Sequence, residues 1–226
     1  MTNDKKRHVI PGEVIVTGSY RAEQNTVLVG DKILATVIGL SDVQEESVRV
    51  IPLTGGYFPK GDDLVIGKVT SHSAMSWEID INSLYVGMLP ASDVFGRDFS
   101  PNSDELTSKL AHGDLIAARI VNSDKTRDPL LTISGRELGK IDSGELVSIS
   151  PSKIPRLIGK RGSMIQMIES ETGAQITIGQ NGRLVISCED SDGLLKAISA
   201  IELVEEKAHI ANLTDQVSEM LELKSD

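Results

Sequence analysis

Ile154-Pro155-Arg156-Leu157-Ile158-Gly159-Lys160-Arg161-Gly162-Ser163-Met164-Ile165 is the stretch on which the reading of this chain turns. Two short apolar-periodic segments are joined there by a Gly-x-x-Gly loop that holds two cations. Glycine lets the backbone turn sharply and lets another backbone approach with no Cβ in the way. Lys160 and Arg161 then face whatever approaches, and an anionic sugar-phosphate chain matches their charge. A bare Gly-x-x-Gly is common, so the flanking segments must carry the argument.

Upstream, Glu145-Leu146-Val147-Ser148-Ile149-Ser150 alternates with period two, the pattern of a strand buried on one face. Downstream, Ile165 and Ile168 share one helical face, and Gly173 ends that helix. Ala174-Gln175-Ile176-Thr177-Ile178 and Arg183-Leu184-Val185-Ile186-Ser187 then flank Asn181-Gly182, a hairpin signal. A long helix follows, with Leu194, Leu195, Ile198, Ile201, Leu203 and Val204 as its expected apolar stripe. The order strand, helix, loop, helix, strand, strand, helix resembles the type I KH module. In that family the Gly-x-x-Gly loop clamps about four nucleotides of single-stranded RNA. The resemblance makes Lys153, Arg156, Gly159, Lys160, Arg161 and Gly162 RNA-binding candidates.

Composition does not oppose this. The formal net charge is -10 and the pI about 4.9, whereas nucleic-acid binders are often basic. Residues 145–187, however, carry Lys153, Arg156, Lys160, Arg161 and Arg183 against Glu145, Glu169 and Glu171, a local excess of positive charge. The acidity concentrates after residue 188, where ten acids face three bases. Charges more than about 8–10 Å apart are largely screened at ordinary salt, so the local sign decides.

Residues 61–140 read as five short strands broken by glycine and polar turns, which predicts a small closed barrel of the OB type. Leu64-Val65-Ile66-Gly67-Lys68-Val69 is the first, ending near His72, and Trp77-Glu78-Ile79-Asp80-Ile81-Asn82 the second. Gly87-Met88-Leu89-Pro90-Ala91-Ser92, Gly113-Asp114-Leu115-Ile116 and Leu130-Leu131-Thr132-Ile133-Ser134 resemble landmarks of the S1 RNA-binding domain. One departure stands out: the aromatics of the usual S1 repeat are replaced by His72-Ser73-Ala74-Met75-Ser76-Trp77. His72 and Trp77 are the residues left to stack on a base. For Trp77, core packing and a ligand or subunit contact both stay open, because alternation alone does not name its face. With only 3% aromatic residues, binding here leans on charge. Lys68, Arg119, Lys125 and Arg127 are the barrel's RNA-binding candidates, with Arg97 and Arg136 as further cations. Lys125-Thr126-Arg127 falls in the turn before the last strand, next to Asp124 and Asp128, which are alternative partners for them.

Residues 8–57 hold Val14-Ile15-Val16, Thr26-Val27-Leu28-Val29, a run from Ile33 to Gly39, and Ser47-Val48-Arg49-Val50-Ile51-Pro52. This predicts an all-β unit of roughly 50 residues, small enough to need a docking partner. The expected organisation is multidomain and mainly β, with a C-terminal α/β module: an N-terminal β domain over residues 1–58, a barrel over 59–140, and the KH-like domain with C-terminal helices over 143–226. Thr214 to Leu221 suits either an extension of the last helix or a separate amphipathic one.

That order closely resembles the RNA-binding cap subunit of the archaeal exosome, over nearly the whole chain. The resemblance implies three copies on a ring of RNase PH-like subunits, held by their N-terminal domains. Their S1 domains would surround the pore, capture single-stranded RNA and pass it to phosphorolytic sites on other chains for 3'-to-5' degradation. The sister cap subunit carries a zinc ribbon, which one cysteine cannot build. Cys188 is expected to pack as a small apolar residue, and His72 has no second histidine or cysteine at metal-ligand spacing. Neither a metal nor a cofactor is expected.

No residues assemble a nucleophile with its base or a carboxylate cluster, so a non-enzymatic role is expected; Asp62-Asp63 reads as a turn. With no 18-residue apolar stretch and no apolar region behind Met1 to Arg7, neither a membrane span nor a signal peptide is expected, and the location is cytoplasmic. Two alternatives lie outside the exosome: a structural adaptor, and an RNA-binding protein resembling bacterial transcription factors that place S1 before KH. The latter have a second KH module and a larger N-terminal domain. Polynucleotide phosphorylase has the reverse order and a far longer core.

Overall fold

The computed structural model describes residues 7–53, 55–96, 99–101, 105–124, 126–208, 210 and 212–223. The chain divides into two compact units, Met1–Gly55 and Gly56–Asp226. The barrel and the KH-like domain therefore form one body. The first boundary falls before residue 58 because Tyr57 is buried in the barrel core and bonds Asp63 at 2.7 Å.

The N-terminal unit contains β1 (His8–Val9), β2 (Val14–Thr17), β3 (Arg21–Ala22), β4 (Thr26–Val29), β5 (Lys32–Ala35), β6 (Gly39–Val43) and β7 (Ser47–Pro52). They make a four-stranded sheet, β1-β6-β7-β3, and a three-stranded one, β2-β5-β4. The run from Ile33 to Gly39 is two strands and not one. β5 pairs with β2 and β4, and the chain bends before β6 joins the other sheet. The core is small (Val9, Ala35 and Val50), and Val27, Leu28 and Val29 of β4 are exposed.

The second unit opens with β8 (Leu64–His72), β9 (Ser76–Asp80) and β10 (Val86–Pro90). A short α1 (Ala91–Phe95), β11 (Leu115–Asp124) and β12 (Arg127–Thr132) follow. Neighbouring strands run in the order β12-β10-β9-β8-β11, and β12 also pairs with β11, so the barrel closes. The parallel pair is β10 with β12, and the others are antiparallel. Closure leaves none of the five strands as an edge. β13 (Gly139–Ile141) extends the sheet along β11. Inward residues follow the period of two: Val65, Val69, Ile79, Leu89, Ile116, Ala118, Ile120 and Leu131 fill the interior.

The KH-like domain is β14 (Glu145–Ser148), α2 (Ile154–Ile158), α3 (Ser163–Thr172), β15 (Gln175–Ile178), β16 (Arg183–Ser187) and α4 (Ser191–Lys207). Its sheet order is β14-β16-β15, all antiparallel. The helices cover one face over Ile154, Leu157, Met164, Ile168, Leu184 and Ile201. Asp190 caps α4 by accepting the Gly193 amide at 3.0 Å. Leu195 does not belong to the stripe: it is 62% exposed, while Ala197 and Ala200 are buried. Small side chains let α4 sit close to the sheet, so the buried line runs through Ala197, Ala200, Ile201 and Val204. A separate helix, α5 (Leu213–Leu223), answers the C-terminal question. Its Leu213, Val217 and Leu221 recur every four residues and join the same core.

The barrel and KH core meet through the loop between β15 and β16. Asn181 is fully buried, and its carboxamide bonds the Ile66 and Ile81 backbones of the barrel. The Gln180 amide donates to Leu64 O at 2.7 Å, and Asn82 Nδ2 donates to Asn181 O at 2.8 Å. A Cβ on Gly179 would stand 2.7 Å from the Ile66 nitrogen, so glycine is what lets the two backbones come together. Val185 packs beside Ile66 and Ala117 in a small apolar cluster at the seam.

Candidate nucleic-acid interface

The Gly-x-x-Gly loop lies between α2 and α3. Gly159 (φ 74°), Arg161 (φ 57°) and Gly162 (φ 82°) all take left-handed backbone. At Gly159 an added Cβ would stand 2.8 Å from Met164 Cβ and 2.9 Å from the Met164 nitrogen, so conformation and space both require glycine. Arg161 pays the usual steric cost of that conformation for a residue with a Cβ. Its turn leaves the Lys160 and Arg161 side chains exposed. Neither makes an ion pair or hydrogen bond among the described residues.

On the helices that flank the loop, Ile158 of α2 and Ile165 of α3 are partly buried, packed on the core from its rim. An apolar rim next to unpaired cations fits unstacked bases and phosphates together. The other two candidates on this module are engaged elsewhere. Lys153 Nζ donates to Glu205 O at 2.7 Å, at the end of α4, and Arg156 Nη2 donates to Ile210 O at 2.8 Å. Cations at helix carbonyl ends stabilise them. These two fasten the C-terminal helices, although the exposed body of Arg156 still borders the loop.

On the barrel the candidates separate. Trp77 is a correction: it is fully buried, its Nε1 donates to Leu110 O at 3.0 Å, and its ring stacks on Phe95 at 6.2 Å. It faces the interior because the neighbours in its alternation, Ile79 and Ile81, do. Base stacking is closed to it. Lys68 and His72 are exposed on β8. Arg119 is exposed and holds Asp62 through its backbone oxygen at 2.8 Å and its carboxylate at 3.2 Å. Arg127 is exposed opposite Asp124 in the β11–β12 register, and Lys125 lies outside the described residues. Asp62 does sit in a turn, with φ 72°.

Sequence reading missed an aromatic pair. Phe58 is 42% exposed and meets Tyr85 edge-on, ring centres 5.5 Å apart. Both lie in connecting segments, where periodicity gives no signal. It also missed the proximity of Arg136 to the KH-like domain. Arg119 and Arg136 line a cleft with Glu169, Thr177 and Ile178.

Comparison with known proteins agrees with this architecture. The KH domain family matches residues 144–203, and the N-terminal domain of exosome RNA binding protein RRP4 matches residues 6–54. The chain is 66% identical over 223 residues to exosome complex component Rrp4 of Nitrosopumilus maritimus, covering 99% of each chain. It is 44% identical over 222 residues to Rrp4 of Thermofilum pendens, covering 96% of this chain and 94% of the other. Among solved structures it is similar to a crystal structure assigned as an exosome complex RNA-binding protein. That likeness has a TM-score of 0.71 at 40% identity, over 75% of this chain and 97% of the other.

Proposed function

The chain belongs to the exosome complex component Rrp4 family, and on that premise we propose that it is a non-catalytic, RNA-binding subunit of a cytoplasmic exosome. Three copies cap a ring of RNase PH-like subunits, docked through their N-terminal units. Each captures single-stranded RNA and holds it near the pore for 3'-to-5' degradation by the ring. The observation that carries the capture step is the pair of exposed cations, Lys160 and Arg161, without a partner among the described residues, on a left-handed loop beside an apolar rim. The exposed apolar strand β4 supports docking of the N-terminal unit. No helix among the described residues is long and apolar enough to cross a membrane.

The subunit works through proximity and carries out no bond chemistry. RNA held on the cap meets the ring at a raised effective concentration, so several weak contacts suffice. The test is degradation of a single-stranded RNA by the RNase PH-like ring with and without this chain. Association with the ring and faster degradation are expected. Failure to associate, or equal rates at all RNA concentrations, would overturn the proposal and favour an adaptor or an RNA-binding role outside the exosome.

A further inference from the structure

The cleft between the barrel and the KH-like domain has a volume of about 450 Å³. Leu64, Arg119 and Arg136 line it from the barrel side, and Glu169, Thr177 and Ile178 from the other. The loop after β15 closes the junction by burying Asn181 against Ile66. We propose that this cleft is a second segment of the RNA path, in which a strand clamped at Gly159–Gly162 runs along α3 and is held by Arg119 and Arg136. This extends the RNA-binding reading above and rests on it.

Three observations argue for a nucleic-acid strand as occupant. The first is continuity. α3 begins at the loop and reaches the cleft through Glu169, and a helical rise of 1.5 Å per residue puts Glu169 about 9 Å from Ser163 along its axis. The loop itself holds roughly four nucleotides, and a strand longer than that continues along α3 toward the cleft. The second is the availability of donors. Arg136 is exposed and makes no hydrogen bond or ion pair among the described residues. Arg119 commits Nη1 to Asp62 and leaves Nε and Nη2 without a partner among them. A guanidinium fork with free donors matches phosphate oxygens.

The third is the strand edge. β15 is the outer strand of its sheet, so one backbone edge pairs with no strand. Exposed edges of this kind offer amides and carbonyls to an incoming partner. Glu169 and Glu137 also line the cleft, and the Glu169 carboxylate already accepts the Ile176 amide at 2.9 Å. Acids beside arginines suit a ligand that has amino groups on its bases as well as phosphates on its backbone. A single strand is the chemistry that fits.

The test compares binding of the full chain and its Arg136→Ala variant to oligo(A) RNAs of four and twelve nucleotides, each at two salt concentrations. Circular dichroism checks the fold. The shorter RNA fills the loop alone, and its affinity is expected to stay within two-fold of wild type. The longer RNA is expected to bind the variant at least about 10-fold more weakly, the size of one charge-assisted contact. Its salt dependence should fall by about 0.7 in slope, one released counterion fewer on a single strand. Hydrogen exchange of residues 175–178 should slow with the twelve-mer and not with the four-mer. Unchanged twelve-mer binding, or an equal loss for both RNAs, would overturn the cleft while leaving the loop intact. Failure of wild type to bind either RNA would overturn the RNA-binding reading and the cleft with it.

Discussion

Asn181 of the KH-like domain takes the place of a strand partner for Ile66 of the barrel. Its Nδ2 donates to Ile66 O at 2.8 Å while its Oδ1 accepts the Ile66 amide at 3.2 Å. The pairing of β8 with β9 begins only at Lys68 and Asp80, so Ile66 lies beyond the reach of that ladder. The second Nδ2 hydrogen goes to Ile81 O at 2.9 Å, past the end of β9. One carboxamide thus finishes the hydrogen bonding of two barrel strands from outside the barrel. The backbones of Leu64 and Gln180 add another bond at the seam.

Replacing Asn181 with leucine removes all three bonds from groups that water cannot reach. Each buried backbone group left without a partner costs about 1–3 kcal/mol. Asn181→Leu is therefore expected to lower stability by about 3 kcal/mol or more, and to split a single urea transition into separate barrel and KH-like steps. Fluorescence of Trp77 reports the barrel and far-ultraviolet circular dichroism the helices. One coincident transition at the wild-type midpoint would show that the seam adds nothing.

The ion pair at the same seam predicts a pH dependence. Arg183 is largely buried, and its Nη2 lies 2.6 Å from Asp80 Oδ2. Burial by itself pushes the Asp80 carboxyl up, but hydrogen bonds from Arg183 and the Asn82 amide, with the charges of Arg183 and Lys68, outweigh it and hold the pKa below its usual value. A folded pKa below the unfolded one means that the stabilisation is complete above the unfolded pKa, about 3.9. It is lost as pH falls through the folded value. Because Asp80 is partly exposed, the pair is worth about 1 kcal/mol or less. Urea midpoints of wild type and Asp80→Asn should therefore differ near neutrality and converge below about pH 4. A constant gap from pH 7 to pH 3 would contradict this.

Much of the KH-like domain was legible because its signals are local: alternation in β14, the paired glycines, and Gly173 ending α3 with φ 68°. The barrel strands were legible for the same reason. What escaped was set by tertiary packing. Asn181-Gly182 marks a real hairpin, since β15 and β16 pair antiparallel, but the turn spans Gly179 to Gly182 and its asparagine serves the barrel. Alternation placed Trp77 in a strand without choosing a face, and Phe95 and the Leu110 carbonyl decided it. Leu195 looked like stripe material until the approach of α4 to the sheet selected Ala197 and Ala200. Lys153 and Arg156 carry the right charge near the loop, yet Glu205 of α4 and Ile210 of the connection to α5 claim them through their carbonyls.

The buried position of Trp77 makes it a convenient control, because it is the chain's single tryptophan. Its emission should be blue-shifted, resistant to quenching by acrylamide, and unchanged when oligo(A) RNA saturates the protein. Trp77→Phe keeps an aromatic ring but strands the Leu110 carbonyl, at a cost of about 1–3 kcal/mol. RNA affinity should stay within two-fold while the unfolding midpoint falls. Strong quenching of Trp77 by bound RNA would put the indole at the ligand after all.

Lys160 and Arg161 supply the sharpest prediction. Both side chains are exposed, and no hydrogen bond or ion pair among the described residues depends on them, so reversing their charge leaves the packing of α2 and α3 untouched. Gly159 and Gly162 keep their backbone in the variant, and aspartate tolerates the left-handed conformation at position 161 better than most residues do. Lys160→Asp with Arg161→Asp is therefore expected to keep the wild-type circular dichroism spectrum and unfolding midpoint within about 0.5 kcal/mol, as surface changes usually do. RNA binding should weaken strongly, and its salt dependence should flatten by about 0.7 in slope for each lost phosphate contact. Affinity measured at two salt concentrations separates the outcomes. A loss with a flatter slope places capture on the loop. Equal affinity at both concentrations would move the site to the barrel, around Arg127 and the exposed cations of β8 and β11.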